Sequence, residues 1–314
     1  MTTLEQSSID LPEVLTSATV PTLPDPILRA RAALEQAAID YLAIPDSALL
    51  RTWLFRGVDT EDGVRYGIYR GAETVEAASA ELVAALAGAP ARSPATIRTA
   101  PATIARWTLQ GRLAALDEDV LDRVAKDGEW TLRRTLAHVI GSQRGYGWFT
   151  RWWLSQPLGP DRPSRITAEG DAAGERALPP EDREAEGSIA DVRARLDAVL
   201  DEWALRFASL DAEVLALSAR WAGVPVDVDF RLGRWASHIA EHTIQLDKTL
   251  AWLGDEPSEA ARIVRDLYAA WGRLEAQIFP VASAGMNDAV APILERMSAT
   301  LVSEARDVRK AAGV

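Results

Sequence analysis

The chain contains three histidines, and two of them, His238 and His242, stand four residues apart. Side chains at i and i+4 share one face of a helix, so both rings can be aimed at one point. The third, His138, lies far upstream in another segment of helical pattern. A third imidazole from a neighbouring helix would complete a three-nitrogen site with open positions, the form that catalytic metal sites take. Spacing alone leaves a second reading open: buried imidazoles satisfied by hydrogen bonds, since unpartnered polar groups are costly to bury.

The elements that must position these rings read as helices. One begins at Thr131, a good N-cap after the turn Asp127-Gly128, and runs to about residue 155. Another follows the turn at 223–226, is capped by Asp227 or Asp229, and ends at Gly254. On the latter, Trp235, Ile239, His242 and Leu246 form an apolar stripe, with His238 at its edge. Beside His138 stand Gly141, Ser142 and Gly145, small residues that leave a void or let helices approach closely. Tyr146, Trp148, Trp152 and Trp153 follow, either walling a pocket or filling core, and Arg134 is placed to meet an anionic group. Glu241, Gln245 and Asp247 are candidates for a fourth ligand or for contacts behind the ligands; a solvent-facing side of the helix would carry the same residues.

Helical periodicity also marks 27–43, 63–86, 102–124, 188–210, 257–278 and 287–312. Residues 1–26 read as an extended arm, and 88–101, with three prolines, as a linker. The polar stretch 156–187 reads as a flexible loop. Only 224–230 alternates like a strand. The expected organisation is the arm, an N-terminal helical region over 27–95, a bundle over 96–255, and C-terminal helices over 256–314. The fold class is all-α. Laid without gaps, 65–69 aligns with 231–235, which places Ala72 and Glu76 where His238 and His242 stand. Two amphipathic helices of similar composition would give the same match.

Composition narrows the function. A net charge of −12 argues against nucleic-acid binding. No run of apolar residues is long enough for a membrane span, and the N-terminus lacks the pattern of a secretory signal. The absence of cysteine excludes disulfides, thiolate ligands and a protein-borne thiol nucleophile, and fits a cytoplasmic location. Eleven tryptophans in a helical bundle are compatible with a homodimer.

The segment Gly128-Glu129-Trp130-Thr131-Leu132-Arg133-Arg134-Thr135-Leu136-Ala137-His138-Val139 resembles the second-helix motif of the DinB/YfiT-like superfamily, a Trp and a hydroxyl cap followed by Leu-Ala-His. Residues 235–247, with His238-Ile239-Ala240-Glu241-His242, look like the HxxxH of that family's fourth helix. The resemblance covers about residues 100–255. It implies an up-and-down four-helix bundle of DinB/YfiT type with additional N- and C-terminal helices. It also implies a divalent metal (nickel, zinc or iron) held by His138, His238 and His242. Arg134, Ser142, Tyr146, Glu241 and Gln245 are then expected behind the ligands or in the substrate pocket. The implied activity is a metal-dependent transfer of a small-molecule thiol, such as mycothiol or bacillithiol, to an electrophilic small-molecule substrate. With no cysteine in the chain, that thiol must arrive as a cosubstrate. The alternatives are hydrolysis by a bound water and a non-catalytic metal- or ligand-binding bundle.

Overall fold

The computed structural model describes residues 15, 17, 19–159, 161–279 and 284–314. In chain order these form α1 (Asp25–Leu42), the hairpin β1 (Trp53–Phe55) and β2 (Val58–Thr60), α2 (Gly63–Ala85), α3 (Pro94–Leu113), α4 (Leu132–Leu154), α5 (Ala168–Ala177), α6 (Ile189–Phe207) and the single turn α7 (Ala212–Leu215). A second hairpin, β3 (Ser218–Trp221) and β4 (Val224–Asp227), leads into α8 (Val228–Leu253), followed by α9 (Glu259–Ile278) and α10 (Ala284–Ala312). The fold is all-α. No helix among the described residues is long and apolar enough to cross a membrane. Most of the arm expected over 1–26 lies outside the described residues; Leu15, which is described, is fully buried.

Local side-chain chemistry fixes the helix starts. Thr131 Oγ1 accepts from the backbone N–H of Arg134 at 3.2 Å, and Asp227 Oδ1 accepts from that of Phe230 at 2.7 Å. Ser188 and Asp191 form a reciprocal capping box at the start of α6. Gly254, at φ 70°, closes α8 in the left-handed conformation that glycine adopts without steric cost.

Helices α3, α4, α6 and α8 pack into one four-helix bundle, the one that carries all three histidines. The remaining long helices make a second. α10 lies along α1 and α2, and α9 lies along α2 and α1, so the first and last parts of the chain close on each other. The two bundles repeat one plan with the chain order permuted. In each, a two-residue hairpin enters the helix that faces the rest: Arg56-Gly57 before α2 and Ala222-Gly223 before α8, all four residues at positive φ. Burial on α2 falls at Val64, Gly67, Ile68, Gly71, Thr74 and Val75, with the spacing of Val228, Arg231, Leu232, Trp235, His238 and Ile239 on α8. On α10 the buried Val290, Leu294, Met297, Leu301, Ala305, Val308 and Ala312 match Leu132, Leu136, Val139, Gln143, Gly147, Thr150 and Leu154 of α4. The ungapped sequence alignment is therefore off by two residues within the helix. The second bundle sets Thr74 and Ala78, not Ala72 and Glu76, in the places of His238 and His242, and Arg296 in that of His138. It has the scaffold without the imidazoles.

The bundles join where α3 crosses α9. A Cβ on Gly111 would stand 2.8 Å from that of Tyr268, and one on Gly272 would stand 3.0 Å from that of Trp107, so glycine at these places lets the two backbones come together. Beside the crossing lies a buried ionic cluster. Glu275, fully buried, accepts from Arg31 Nε and Nη2, each at 2.8 Å, from Arg106 Nη2, and from Trp271 Nε1 at 3.0 Å. Asp201 accepts from the same two arginines. The cluster ties α1 and α9 to α3 and α6.

Three expectations need correction. The linker over 88–101 is largely helix: Ser93 caps α3, Pro94 takes its first position, and Pro101 lies inside it. Pro101 deprives only the carbonyl of Ile97 of a donor, and Ile97 sits on the exposed side, where water can replace it. Consistently, the helix ends at Leu113, well before 124. Residues 156–187 are not a structureless loop, because they carry α5 and a 3₁₀ turn at Glu181–Ala185. α5 is capped by Thr167 and buries Gly170 against Trp152 and Gly174 against Phe149, so its inner face is glycine and gives no apolar periodicity. The 3₁₀ turn is held by Glu184, 2% exposed, paired with Arg144 at 2.5 Å. Finally, the strand signal at 224–230 is half of a hairpin, β4 ending at Asp227, and the hairpin at 53–60 gave no signal at all.

Candidate metal centre

α4 and α8 run side by side and bring His138, His238 and His242 together, with one ligand-type atom of each within 4.8 Å of the others. The helix geometry explains it. His238 and His242 stack one turn apart on α8, and Thr131 starts α4 so that His138 reaches the same level. The ring centroids of His138 lie 5.2 Å from His238 and 4.9 Å from His242.

Each imidazole has one nitrogen held from behind. Gln245 Oε1 lies 2.8 Å from His242 Nδ1. An amide oxygen only accepts, so Nδ1 carries the proton and Nε2 keeps its lone pair. Both carboxylate oxygens of Glu181 stand 3.3 Å from His138 Nδ1, which fixes that ring in the same sense. Gln143 faces His238 Nδ1 at 3.4 Å, and its Oε1 is buried without a partner. The Gln143 Nε2 that faces the ring also lies 3.4 Å from the backbone oxygen of Trp235, so the amide donates on this side and His238 Nδ1 is the acceptor.

The front nitrogens then face one another. Nε2 of His238 and Nε2 of His242 are 3.2 Å apart. With His238 Nδ1 accepting, its Nε2–H donates to the lone pair of His242 Nε2, and neither ring takes a second proton readily. Burial first, then the neighbouring His242 and His138, push the His238 pKa down to about 3. Burial chiefly lowers that of His242 as well. Two neutral imidazoles aimed at each other suit a divalent cation, whose bonds of about 2.0–2.1 Å put tetrahedral nitrogen ligands about 3.3 Å apart. The donor set fits zinc, nickel or iron, all of which take imidazole.

Residues 102–246 match the family model of the DinB superfamily. The bundle belongs to the DinB superfamily. No curated protein and no solved structure matches the chain. The matched segment contains all three histidines, and the helices that bear the motifs are α4 and α8.

The other residues singled out in the sequence of this DinB bundle fall in different places. Gln245 supports His242 directly. Tyr146, half-buried, sets its ring 5.2 Å from that of His238, with Ser142 hydrogen-bonded to its hydroxyl; burial raises its pKa. Glu241 points outward into a bidentate pair with Arg234, both contacts at 2.7 Å. Asp247 pairs with Arg112 on α3. Arg134 is exposed and stacks 4.8 Å over Trp130, whose ring lies 5.2 Å from His138 at the rim of the cluster. Trp148 and Trp153 are core. Gly145 borders open space, whereas Gly141 makes room for Glu181, whose Cγ a Cβ there would approach to 3.2 Å.

Glu181 and Gln143 were missed from the sequence. Glu181 sits in the stretch that reads as a loop. Gln143 had a signal: it lies on α4 five residues beyond His138, a glutamine at a position whose apolar spacing calls for core.

Proposed function

We propose that this DinB bundle is a divalent-metal-dependent transferase that joins a small-molecule thiol to an electrophilic substrate. The observation that carries the reading is the trio of imidazoles, each backed at Nδ1 and converging at the front from two helices. A divalent ion held by three neutral ligands keeps its full charge and lowers the pKa of a thiol or water placed in its open position.

The protein's own part is to position. Gln245 and Glu181 hold the Nδ1 protons of His242 and His138, Gln143 contacts Nδ1 of His238, and together they keep the rings oriented; such supporting partners are typically worth about 10–100-fold in metal affinity or activity. Tyr146 and Trp130 flank the imidazoles with ring edges and restrict water on two sides. The chain has no cysteine, so the sulfur comes from a free thiol, which gives its proton to water and forms a carbon–sulfur bond to the electrophile as the carbon–leaving-group bond breaks, releasing the leaving group (bromide from a bromomethyl electrophile) to solvent. A cytoplasmic setting, where such thiols are abundant, suits this chemistry.

The test is metal-loaded protein with mycothiol, bacillithiol or glutathione and the electrophile monobromobimane, followed by fluorescence of the thioether. Rates above the uncatalysed background that vanish in His238→Ala support a transferase. A metal-loaded protein with background rates for every thiol overturns it. Release of acid from ester or amide substrates would then assign hydrolysis by a bound water.

A further inference from the structure

Among the described residues four arginines are buried: Arg31, Arg106, Arg206 and Arg231. The first three pair with carboxylates, Arg31 and Arg106 with Glu275 and Asp201, and Arg206 with Glu202. Arg231, 4% exposed, has no carboxylate partner. Its Nε donates to Thr150 Oγ1 at 3.0 Å and its Nη1 to the backbone oxygen of Arg220, both neutral acceptors, and its guanidinium lies 5.4 Å over the ring of Trp221. Burial without a counter-ion lowers its pKa to about 10, so it remains a cation near neutral pH. Its Nη2 has no partner among the described residues. A buried, unpaired charge is expensive unless something neutralises it.

This guanidinium lines an open pocket of about 490 Å³, within the size range of small-molecule sites. Tyr146, Phe149, Ile166 and Trp221 give it apolar and aromatic walls. Arg165 and Arg220 stand on its rim with no ion pair among the described residues, against a single acid, Asp171. That excess of positive charge lies in a chain of net charge −12. The pocket also adjoins the metal centre. The Tyr146 ring lies 4.5 Å from that of Trp221 on one side and 5.2 Å from that of His238 on the other. Arg231 and His238 are seven residues apart on α8, so they share a face about 10 Å apart along the axis.

We propose that this pocket binds the carboxylate of a small organic acid with an aromatic or unsaturated body, the anion seated on Arg231 and the body against the apolar walls that Tyr146, Trp221, Phe149 and Ile166 give the pocket. A guanidinium offers a planar fork that matches a carboxylate, and one buried cation is balanced by one such charge. As an assignment of substrate class it builds on the proposed function, placing the reactive end of the acid toward the histidines. As a binding site it stands without the metal, because no histidine is among its walls.

The test uses benzoate, the uncharged benzamide and phenyl phosphate as probes, with affinities measured on the full chain by calorimetry or ligand-observed NMR. Benzoate should bind at least ~10-fold more tightly than benzamide, the scale expected for a paired buried charge. Arg231→Gln should abolish the preference, and Arg231→Lys should restore part of it. Because Arg231 is buried, a second variant is needed that leaves the interior alone: Arg165→Glu with Arg220→Glu should weaken benzoate several-fold while benzamide is unchanged. His238→Ala with His242→Ala should remove metal yet leave benzoate binding intact, which separates this site from the metal reading. Equal affinity for benzoate and benzamide, or benzoate binding indifferent to both sets of arginine variants, overturns the proposal. Tighter binding of phenyl phosphate than of benzoate overturns the carboxylate assignment.

Discussion

Replacing Glu275 by glutamine keeps the shape of the side chain and removes its charge from the seam between the two bundles. In the native protein the carboxylate takes donors from Arg31, Arg106 and Trp271. Although burial opposes it, the coulombic pull of Arg31 and Arg106 holds the Glu275 carboxyl below its ordinary range. Breaking a buried pair by removing one partner costs about 3–5 kcal/mol, because the remaining charge stays buried and uncompensated. Asp201 still faces both arginines, which places Glu275→Gln at the low end, about 3 kcal/mol. With an unfolding entropy of about 2.1 cal/mol/K per residue, a chain of this length loses about 1.5 °C per kcal/mol, hence about 5 °C in Tm. Scanning calorimetry at pH 7 reads this directly. The sign with pH follows from the lowered pKa: the stabilisation is complete above the unfolded-state value of about 4.3 and is lost as pH falls through the folded value. The gap in Tm between native protein and variant should therefore narrow below about pH 4. Metal content should not change, since the cluster does not touch the histidines. A Tm within about 1 °C of the native protein at pH 7, too small for any buried ion pair, would refute the view that this cluster welds the bundles together.

Other predictions concern the bundle and its site. Gly147→Ala puts a Cβ 2.1 Å from Trp203 Cδ2 and should destabilise by about 1–3 kcal/mol or more, read as a lower denaturant midpoint. Gln245→Ala removes the acceptor at His242 Nδ1 and Glu181→Ala the one at His138 Nδ1; each should weaken zinc affinity about 10–100-fold in a chelator competition, with Tm of the metal-free protein little changed. Gly141→Leu should displace Glu181 and reproduce the affinity loss of Glu181→Ala, since the glycine is what admits that side chain.

How much of this the sequence disclosed depended on how local the cause was. Thr131, Asp227 and Gly254 mark helix ends by contacts within a few residues, and all three were legible. The histidine trio was legible because the two motifs lie on helices whose registers are set by those same caps. The hairpin at 53–60 was not, since Arg56 occupies a positive φ usually left to glycine or asparagine. Nor was the second bundle, whose halves lie at opposite ends of the chain and meet only through packing. The repeat was visible in part, but the extra residues between β2 and α2 shift the helix by two places, so Thr74 and Ala78 escaped an ungapped comparison. Glu181 was hidden because a helix that buries glycines leaves no periodic trace, and the segment carrying it read as a loop.

The central claim is that His138, His238 and His242 hold a divalent metal. Elemental analysis of untagged protein, purified without chelators and dialysed against trace-metal-free buffer, tests it most directly. One equivalent of nickel, zinc or iron per chain is expected, lost in His238→Ala and His242→Ala and restored on adding metal only to the native protein. A chain that carries no metal, and takes up none from micromolar zinc, nickel or iron(II), would contradict it.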